Sequence, residues 1–416
     1  MRSTIDKIIG WMSLMGLMAL AGCAADNDAA VSTPSLRPIS LAPYTVQPTG
    51  VTRADGTLVA DHGIPDGKSI GVFAYYHEGT DSNADGIIDT DGAWSGSAVP
   101  NFMFNQQATY SASDDAFIYS PLKYWPNTQH DKVSFIAYYP YTTSSGSPAD
   151  HGIALTKDND DAGLPIFNFT ASDDITQQVD FLVSDLLPAL PNGTGAIDPS
   201  HADDRSSLTV TDRVRLVFHH ATSKVTVRIV IADSLRKDLK AMDVSSLKLT
   251  NIYRSGTLTP SYAPLTGTIL GTAAGVSDSL TYTIVDEDAV PDAINFLDDP
   301  CLMLPQELAY VENNMAKSAK LEISYSLTLR SHGTVFTYDG DGNPIETDSY
   351  TYTNTASLPL AKMKKTNTDS EIDTWEADHH YIYTIRLGAN RIEFTGEVVD
   401  WGEEVPFPID VDTPES

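Results

Sequence analysis

Nine residues in the first quarter of the chain carry the spacing of a cation loop: Asp81-Ser82-Asn83-Ala84-Asp85-Gly86-Ile87-Ile88-Asp89. Calcium takes about six to eight hard oxygens. Loops that wrap it place carboxylate or amide oxygens at positions one, three and five, a glycine at six, a main-chain oxygen at seven and another oxygen at nine. Asp81, Asn83, Asp85, the Ile87 carbonyl and Asp89 match those positions. The twelfth position, where a bidentate Glu is usual, is Gly92, with Asp91 as the nearest substitute. The same residue types also suit a hairpin tip, so the expectation is calcium or a plain turn. Calcium is the one cofactor the chain offers a site for. Asp339-Gly340-Asp341-Gly342-Asn343 is similar, but Pro344 stands where the loop needs its glycine, and a plain turn is expected. His219-His220 and His379-His380 are not at metal-ligand spacing on a helix. Neighbours on a strand point to opposite faces, so ordinary sheet roles are expected for both pairs. Cys301 lies among apolar residues and reads as a packing residue, not a nucleophile. There is no Gly-x-Ser-x-Gly elbow, phosphate loop, dinucleotide fingerprint or His-Glu-x-x-His. No enzymatic activity is expected.

A different chemistry is written at the start of the chain. Arg2 and Lys7 precede an apolar run, Ile8 to Leu20, that is too short to span a bilayer as a helix. The run ends in Leu20-Ala21-Gly22-Cys23. That order resembles a bacterial lipoprotein signal, which implies removal of residues 1–22 and acylation of Cys23. More than one acyl chain at Cys23 would anchor firmly where a single chain binds only marginally.

Composition narrows the partners. Lys and Arg total 26 against 56 Asp and Glu, a formal charge of −30. A surface so acidic will not bind nucleic acid through its phosphates and is repelled by anionic lipid headgroups, so a lipid anchor must do the holding. With Cys23 acylated, Cys301 has no disulfide partner, and the fold must rest on its core.

Short strands separated by Gly, Pro, Asn and Asp position everything else. Residues 23–53 read as a polar leader with one short strand over Ile39–Val46, ending in the loop Thr52-Arg53-Ala54-Asp55-Gly56. Ile70–Tyr76 and Val133–Tyr139 are compact strands. Residues 191–207 read as a linker rich in Pro, Gly, Asp and Ser. Beyond it, Val214, Leu216 and Phe218 alternate, as do Val225 to Ile231, which predicts a local hairpin. Ser234–Lys240 is expected to form one short helix. Leu321–Leu329 is the clearest half-buried strand, and Tyr381–Leu387 another. The pattern predicts an all-β chain with few short helices, built as two β-sandwich domains in tandem over 54–190 and 208–416.

Several of these segments together resemble the fimbrillin family. Pro65–Tyr76, Tyr119–Pro126 and Val133–Pro140 are similar to its first domain; Val214–His220 followed by Ser223-Lys224-Val225 is similar to its central hairpin; Leu304-Pro305-Gln306, Tyr381-Ile382-Tyr383 and Asp400-Trp401-Gly402 resemble its closing elements. The resemblance implies transthyretin-like sandwiches and a subunit of outer-membrane surface fimbriae of Gram-negative anaerobes, or an accessory or tip adhesin, exported as a lipoprotein. It implies other fimbrial subunits as partners, and a host or bacterial surface ligand for a tip member. In stalk members an arginine-specific protease removes the leader with its strand, and the emptied groove takes a strand from another subunit. Arg53-Ala54 matches that cleavage position, and Val398–Val411 is the candidate donor, although Pro406 and Pro408 cannot donate backbone hydrogen bonds. The alternative is a monomeric surface glycan-binding lipoprotein, with Trp94 or Trp125 stacking on sugars.

Overall fold

Alternation or continuous apolarity marks each strand, and the core it shares with its partners decides which sheet it joins. In the computed structural model of the chain, the described residues are 38–43, 64–126, 130–148, 150–172, 177–191, 213–260, 272–273, 280–284, 293–295, 300–365, 370–388 and 392–401. The first half contributes β1 (Leu41–Pro43), β2 (Ser69–His77), β3 (Met103–Ser111), β4 (Ala116–Tyr119), β5 (Lys132–Tyr139), β6 (Ile153–Leu155), β7 (Phe167–Thr170), β8 (Leu182–Ser184) and β9 (Leu187–Pro191). Two short strands, β10 (Val214–Leu216) and β11 (Phe218–His220), come next.

The first sheet runs β10-β1-β4-β3-β2-β5-β8-β11, with β9 also on β5. Its two end strands are neighbours in sequence, separated by Val217 alone. Two residues of extended chain reach about 7 Å at most, so the sheet must curl until its ends meet. Inside the curl lies one apolar cluster that includes Leu41, Val72, Phe117, Trp125, Phe135 and Leu216. β2 and β5 are buried on both faces. Ile70, Val72, Ala74, Val133, Phe135 and Ala137 face this cluster, while Phe73, Tyr75, Ile136 and Tyr138 face a second one. That is why both strands read as nearly continuous apolar runs.

The second half contributes β12 (Ser223–Ile231), α1 (Asp233–Arg236), β13 (Leu239–Thr250), β14 (Ser255–Leu258), β15 (Thr272–Ala273), β16 (Leu280–Ile284), β17 (Ala293–Asn295), β18 (Cys301–Met303) and β19 (Gln306–Glu307). It closes with β20 (Lys320–Tyr338), β21 (Pro344–Pro359), β22 (Met363–Lys364), β23 (Glu371–Ile372), β24 (Thr374–Trp375), β25 (His379–Leu387) and β26 (Ile392–Asp400). One sheet runs β17-β12-β25-β26, with β18 on β12; a second runs β16-β13-β20-β21; a third, β15-β14-β7-β6, joins strands of both halves. The second apolar cluster spans all of these, from Phe73 to Leu387. The chain is all-β, as its alternation predicts.

Two local expectations are corrected. The predicted hairpin of residues 214–231 does not form: β11 pairs antiparallel with β8, and β12 pairs parallel with β25. Between them Ala221 and Thr222 are fully buried, so the chain passes from one sheet to the next through the core instead of turning at the surface. Residues 214–220, placed by sequence with the second sandwich, therefore complete the first sheet. The expected helix over Ser234–Lys240 is a single turn, α1, because Leu239 and Lys240 already belong to β13.

Candidate strand-accepting groove

β1 is the strand that closes the first sheet. It lies parallel to β10, with Leu41 opposite Val214, Ala42 opposite Arg215 and Pro43 opposite Leu216. On its other side it is antiparallel to β4, with Leu41 opposite Phe117. The main chain just before it extends both ladders. Ile39 N–H donates to the Lys123 carbonyl at 2.8 Å, and Val214 N–H donates to the Ser40 carbonyl at 2.8 Å. Pro38 bridges to Tyr124. Adjacent strands sit about 4.8 Å apart, so β4 and β10 stand roughly two strand spacings apart with this leader segment between them, and Arg213, just before β10, reaches Asp115, just before β4, at 3.7 Å.

The side chains follow the strand period. Ile39 and Leu41 are fully buried in the same cluster as Phe117, Trp125, Val214 and Leu216. Trp125 packs edge-on against Phe135, with ring centroids 5.9 Å apart. The Tyr119 hydroxyl donates to the Ile39 carbonyl at 2.7 Å, and burial pushes that phenol's pKa up, so it remains a donor. Without β1, the inner edges of β4 and β10 would expose unpaired N–H and C=O groups above an apolar trough one strand wide. Such a trough accepts an extended polypeptide that offers apolar side chains at alternate positions.

The other sequence-predicted residues fall as follows. Cys23, Arg53 and Ala54 lie outside the described residues, as do residues 44–46 of the expected leader strand and residues 402–411 of the expected donor. The first part of that donor is committed elsewhere. Val398, Val399 and Asp400 pair with Tyr381, His380 and His379 in β25. Trp401 is buried and stacks on His220 at 3.9 Å, its rings 12° apart. Residues 398–401 are therefore already committed within this chain's own fold. Trp125 is only 5% exposed, and Trp94 packs edge-on against Tyr75 and His77, so Trp125 offers no sugar platform.

The Asp81 loop is a hairpin tip organised by its own carboxylate. Asp81 accepts N–H groups from Asn83, Asp85 and Gly86, the last at 2.7 Å. The Gly86 N–H above all holds the Asp81 carboxyl below its usual range. Asp85 accepts the Ile87 N–H, and Asp89 accepts the Ser82 N–H. Asp91 pairs outside the loop. His130 Nδ1 at 2.8 Å and Lys132 Nζ at 3.1 Å already hold its carboxylate. Among the described residues no three His, Cys, Asp or Glu side chains gather as a metal cluster. The Asp339 loop is a plain turn, with Asp339 accepting the Asp341 and Asn343 N–H groups.

Sequence reasoning missed two parts of the site. β4 is only four residues long, Ala116–Tyr119, and stands just before Pro121, too short to show a period of its own. β10 was visible as alternation, but its partner lies far away in sequence. A further missed feature is His219, which joins the first sheet to the turn before β25: it lies 3.1 Å from Asp185 and 3.6 Å from Asp378.

Comparison with curated protein sequences gives no significant match. Among solved structures, the chain is similar to a fimbrial protein from Bacteroides vulgatus ATCC 8482, at 18% identity and a TM-score of 0.55, covering 88% of this chain and 99% of that one. It is more distantly similar to the fimbrilin FimA from Porphyromonas gingivalis W83, at 10% identity and a TM-score of 0.39, covering 88% and 97%. The sequence model described as fimbrillin-like matches residues 52–401. With that match extending over most of its length, the chain belongs to the fimbrillin-like family.

Proposed function

We propose that this chain is a subunit of a surface fimbria, or an accessory or tip adhesin of one, that works by strand exchange and performs no catalysis. It reaches the outer membrane as a lipoprotein held through Cys23. Cleavage between Arg53 and Ala54 then separates the anchor and β1 from the body. The observation that carries this reading is the place of β1: it is the link between β4 and β10, and it lies upstream of Arg53. Other fimbrial subunits would supply the incoming strand, and a host or bacterial surface would be the ligand of a tip member.

The cut alters connectivity and no contact. While tethered, the leader strand meets its groove at an effective concentration of roughly millimolar. Its two buried aliphatic side chains contribute about 3–6 kcal/mol together, which as a free-peptide affinity is roughly millimolar to tens of micromolar. A released leader therefore leaves at ordinary dilution, and a longer strand from another subunit replaces it. The test is arginine-specific proteolysis of the membrane-bound chain. A new N-terminus at Ala54, release from the membrane fraction and denaturant-resistant ladders with filaments by electron microscopy are expected of a stalk subunit. Release without polymers would indicate a tip or accessory member, and a folded chain refractory at Arg53 would rule the mechanism out.

Calcium is the ion the Asp81 loop would take, through oxygens of Asp81, Asn83, Asp85, Ile87 and Asp89. If it binds, a chelator lowers the melting temperature of the wild type but not of Asp81→Ala. Unchanged melting in both proteins would leave the loop as a turn alone.

A further inference from the structure

We propose that the chain has a second strand-pairing surface, the free edge of β21, and that its partner is β21 of a second copy in antiparallel alignment. β21 ends the sheet β16-β13-β20-β21, and among the described residues nothing pairs with its outer side. It is 16 residues long, and most of it is exposed. A long, regular edge of this kind is a template for another strand unless charge, proline or a bulge guards it. The guards of this strand, Pro344, Glu346, Asp348 and the register shift between Arg330 and Val335, all lie toward its first residues. From Ser349 to Pro359 there is no charged residue, in a chain where one residue in five is charged. The pairing of this stretch with β20 runs in unbroken register from Lys320↔Pro359 to Arg330↔Ser349. Proline enters only at its end. By contrast, β26 at the edge of its sheet carries Glu393, Glu397 and Asp400.

Charge selects a second copy as the occupant. Each chain carries −30, so two copies repel over most of their surfaces. The β21 edge is a long stripe where they need not. The acids of this strand, Glu346 and Asp348, lie near one end, and Asp348 is neutralised by Lys240 at 2.6 Å. Any twofold alignment centred between Thr351 and Thr355 places neither acid opposite another acid. With the axis at Thr353 it sets hydroxyl residues opposite hydroxyl residues on one face, Thr351 opposite Thr355 and Ser349 opposite Ser357. On the other face Tyr350 and Tyr352, 47% and 49% exposed, meet Ala356 and Asn354. Each copy presents the same patch, so the contact closes as a dimer. A polypeptide edge satisfies a row of backbone N–H and C=O groups in register, which a glycan laid on the tyrosines cannot do. About eleven residues a side falls short of the roughly 20–30 of a stable interface, so the dimer is expected to be weak and concentration-dependent.

Sedimentation equilibrium of the full, uncut chain tests this, because the uncut chain retains β1 and strand exchange cannot contribute. Thr353 is exposed, at the centre of the stripe, so Thr353→Lys and Thr353→Glu leave the folded chain intact. The wild type is expected to dimerise at tens of micromolar, and more tightly as salt screens the long-range repulsion. Each variant alone is expected to lose at least tenfold in dimer affinity. An equimolar mixture of the two is expected to recover it, which also shows that both fold. A wild type monomeric throughout, or a dimer that both variants leave unchanged, would overturn the proposal.

Discussion

Leu41→Ala is expected to loosen the leader strand by about 2–5 kcal/mol, the usual cost of emptying a fully buried leucine site, while leaving the melting of the body nearly unchanged. Leu41 is completely buried, yet it sits on a three-residue strand whose pairing is confined to β4 and β10. Loss of its side chain weakens docking of the leader against its groove. It does not open β2, β3 or β5, whose pairing does not involve β1. Hydrogen exchange at the amides of Phe117 and Val214 should accelerate at least tenfold, and cleavage at Arg53 should quicken. Phe135→Ala is the control: Phe135 belongs to the same cluster but sits on the central strand β5, and its loss should cost about 3–5 kcal/mol of global stability. If Leu41→Ala lowers the melting temperature of the whole molecule as much as Phe135→Ala does, the leader is an integral part of the fold and not a removable strand.

His219→Gln is expected to destabilise the folded chain by about 1–2 kcal/mol near pH 6 and by almost nothing near pH 9.5. His219 belongs to β11 of the first sheet. Its Nε2 lies 3.1 Å from Oδ1 of Asp185, an ion pair set off the line of a good hydrogen bond, and its Nδ1 lies 3.6 Å from Oδ2 of Asp378, in the turn before β25. Burial alone would lower the imidazole pKa, but the two carboxylates outweigh it and raise it to about 9. The unfolded chain titrates near 6.5. With the folded value the higher, the contribution is fully present below about pH 6.5 and fades as pH rises toward about 9. Asp378 is more than a third exposed, and solvent screening reduces the energy to the range given. Denaturant unfolding of both proteins across this span checks the point. A difference that stays constant with pH would mean that His219 acts by packing and not by charge.

Much of the fold was legible because most strands carry their period openly. β2, β5, β12, β20 and β25 were each read near their observed places, since alternation or continuous apolarity marks a strand whatever its partner. The pairing was not legible. Val214, Leu216 and Phe218 alternate beside Val225 to Ile231, and proximity in sequence favours a hairpin. Yet β10 and β11 instead join opposite ends of the first sheet, a choice made by a core assembled from strands more than a hundred residues apart. β21 was invisible because a Thr- and Tyr-rich edge buries little and has no apolar face to reveal it. The leader strand was seen, but its site was not. Its importance lies in having β4 on one side and β10 on the other, and neither neighbour is near it in sequence.

If β1 is an exchangeable strand, its groove survives without it. The direct measurement is hydrogen exchange on the body beginning at Ala54, with and without a synthetic peptide of residues 38–46. The account predicts that the amides of β4 and β10 exchange fast in the bare body and regain protection as the peptide is titrated, with half-saturation at roughly tens of micromolar to millimolar, while β2 and β5 stay protected throughout. A body in which β4 and β10 are fully protected without the peptide, or one whose first sheet is unprotected even at saturating peptide, would contradict it.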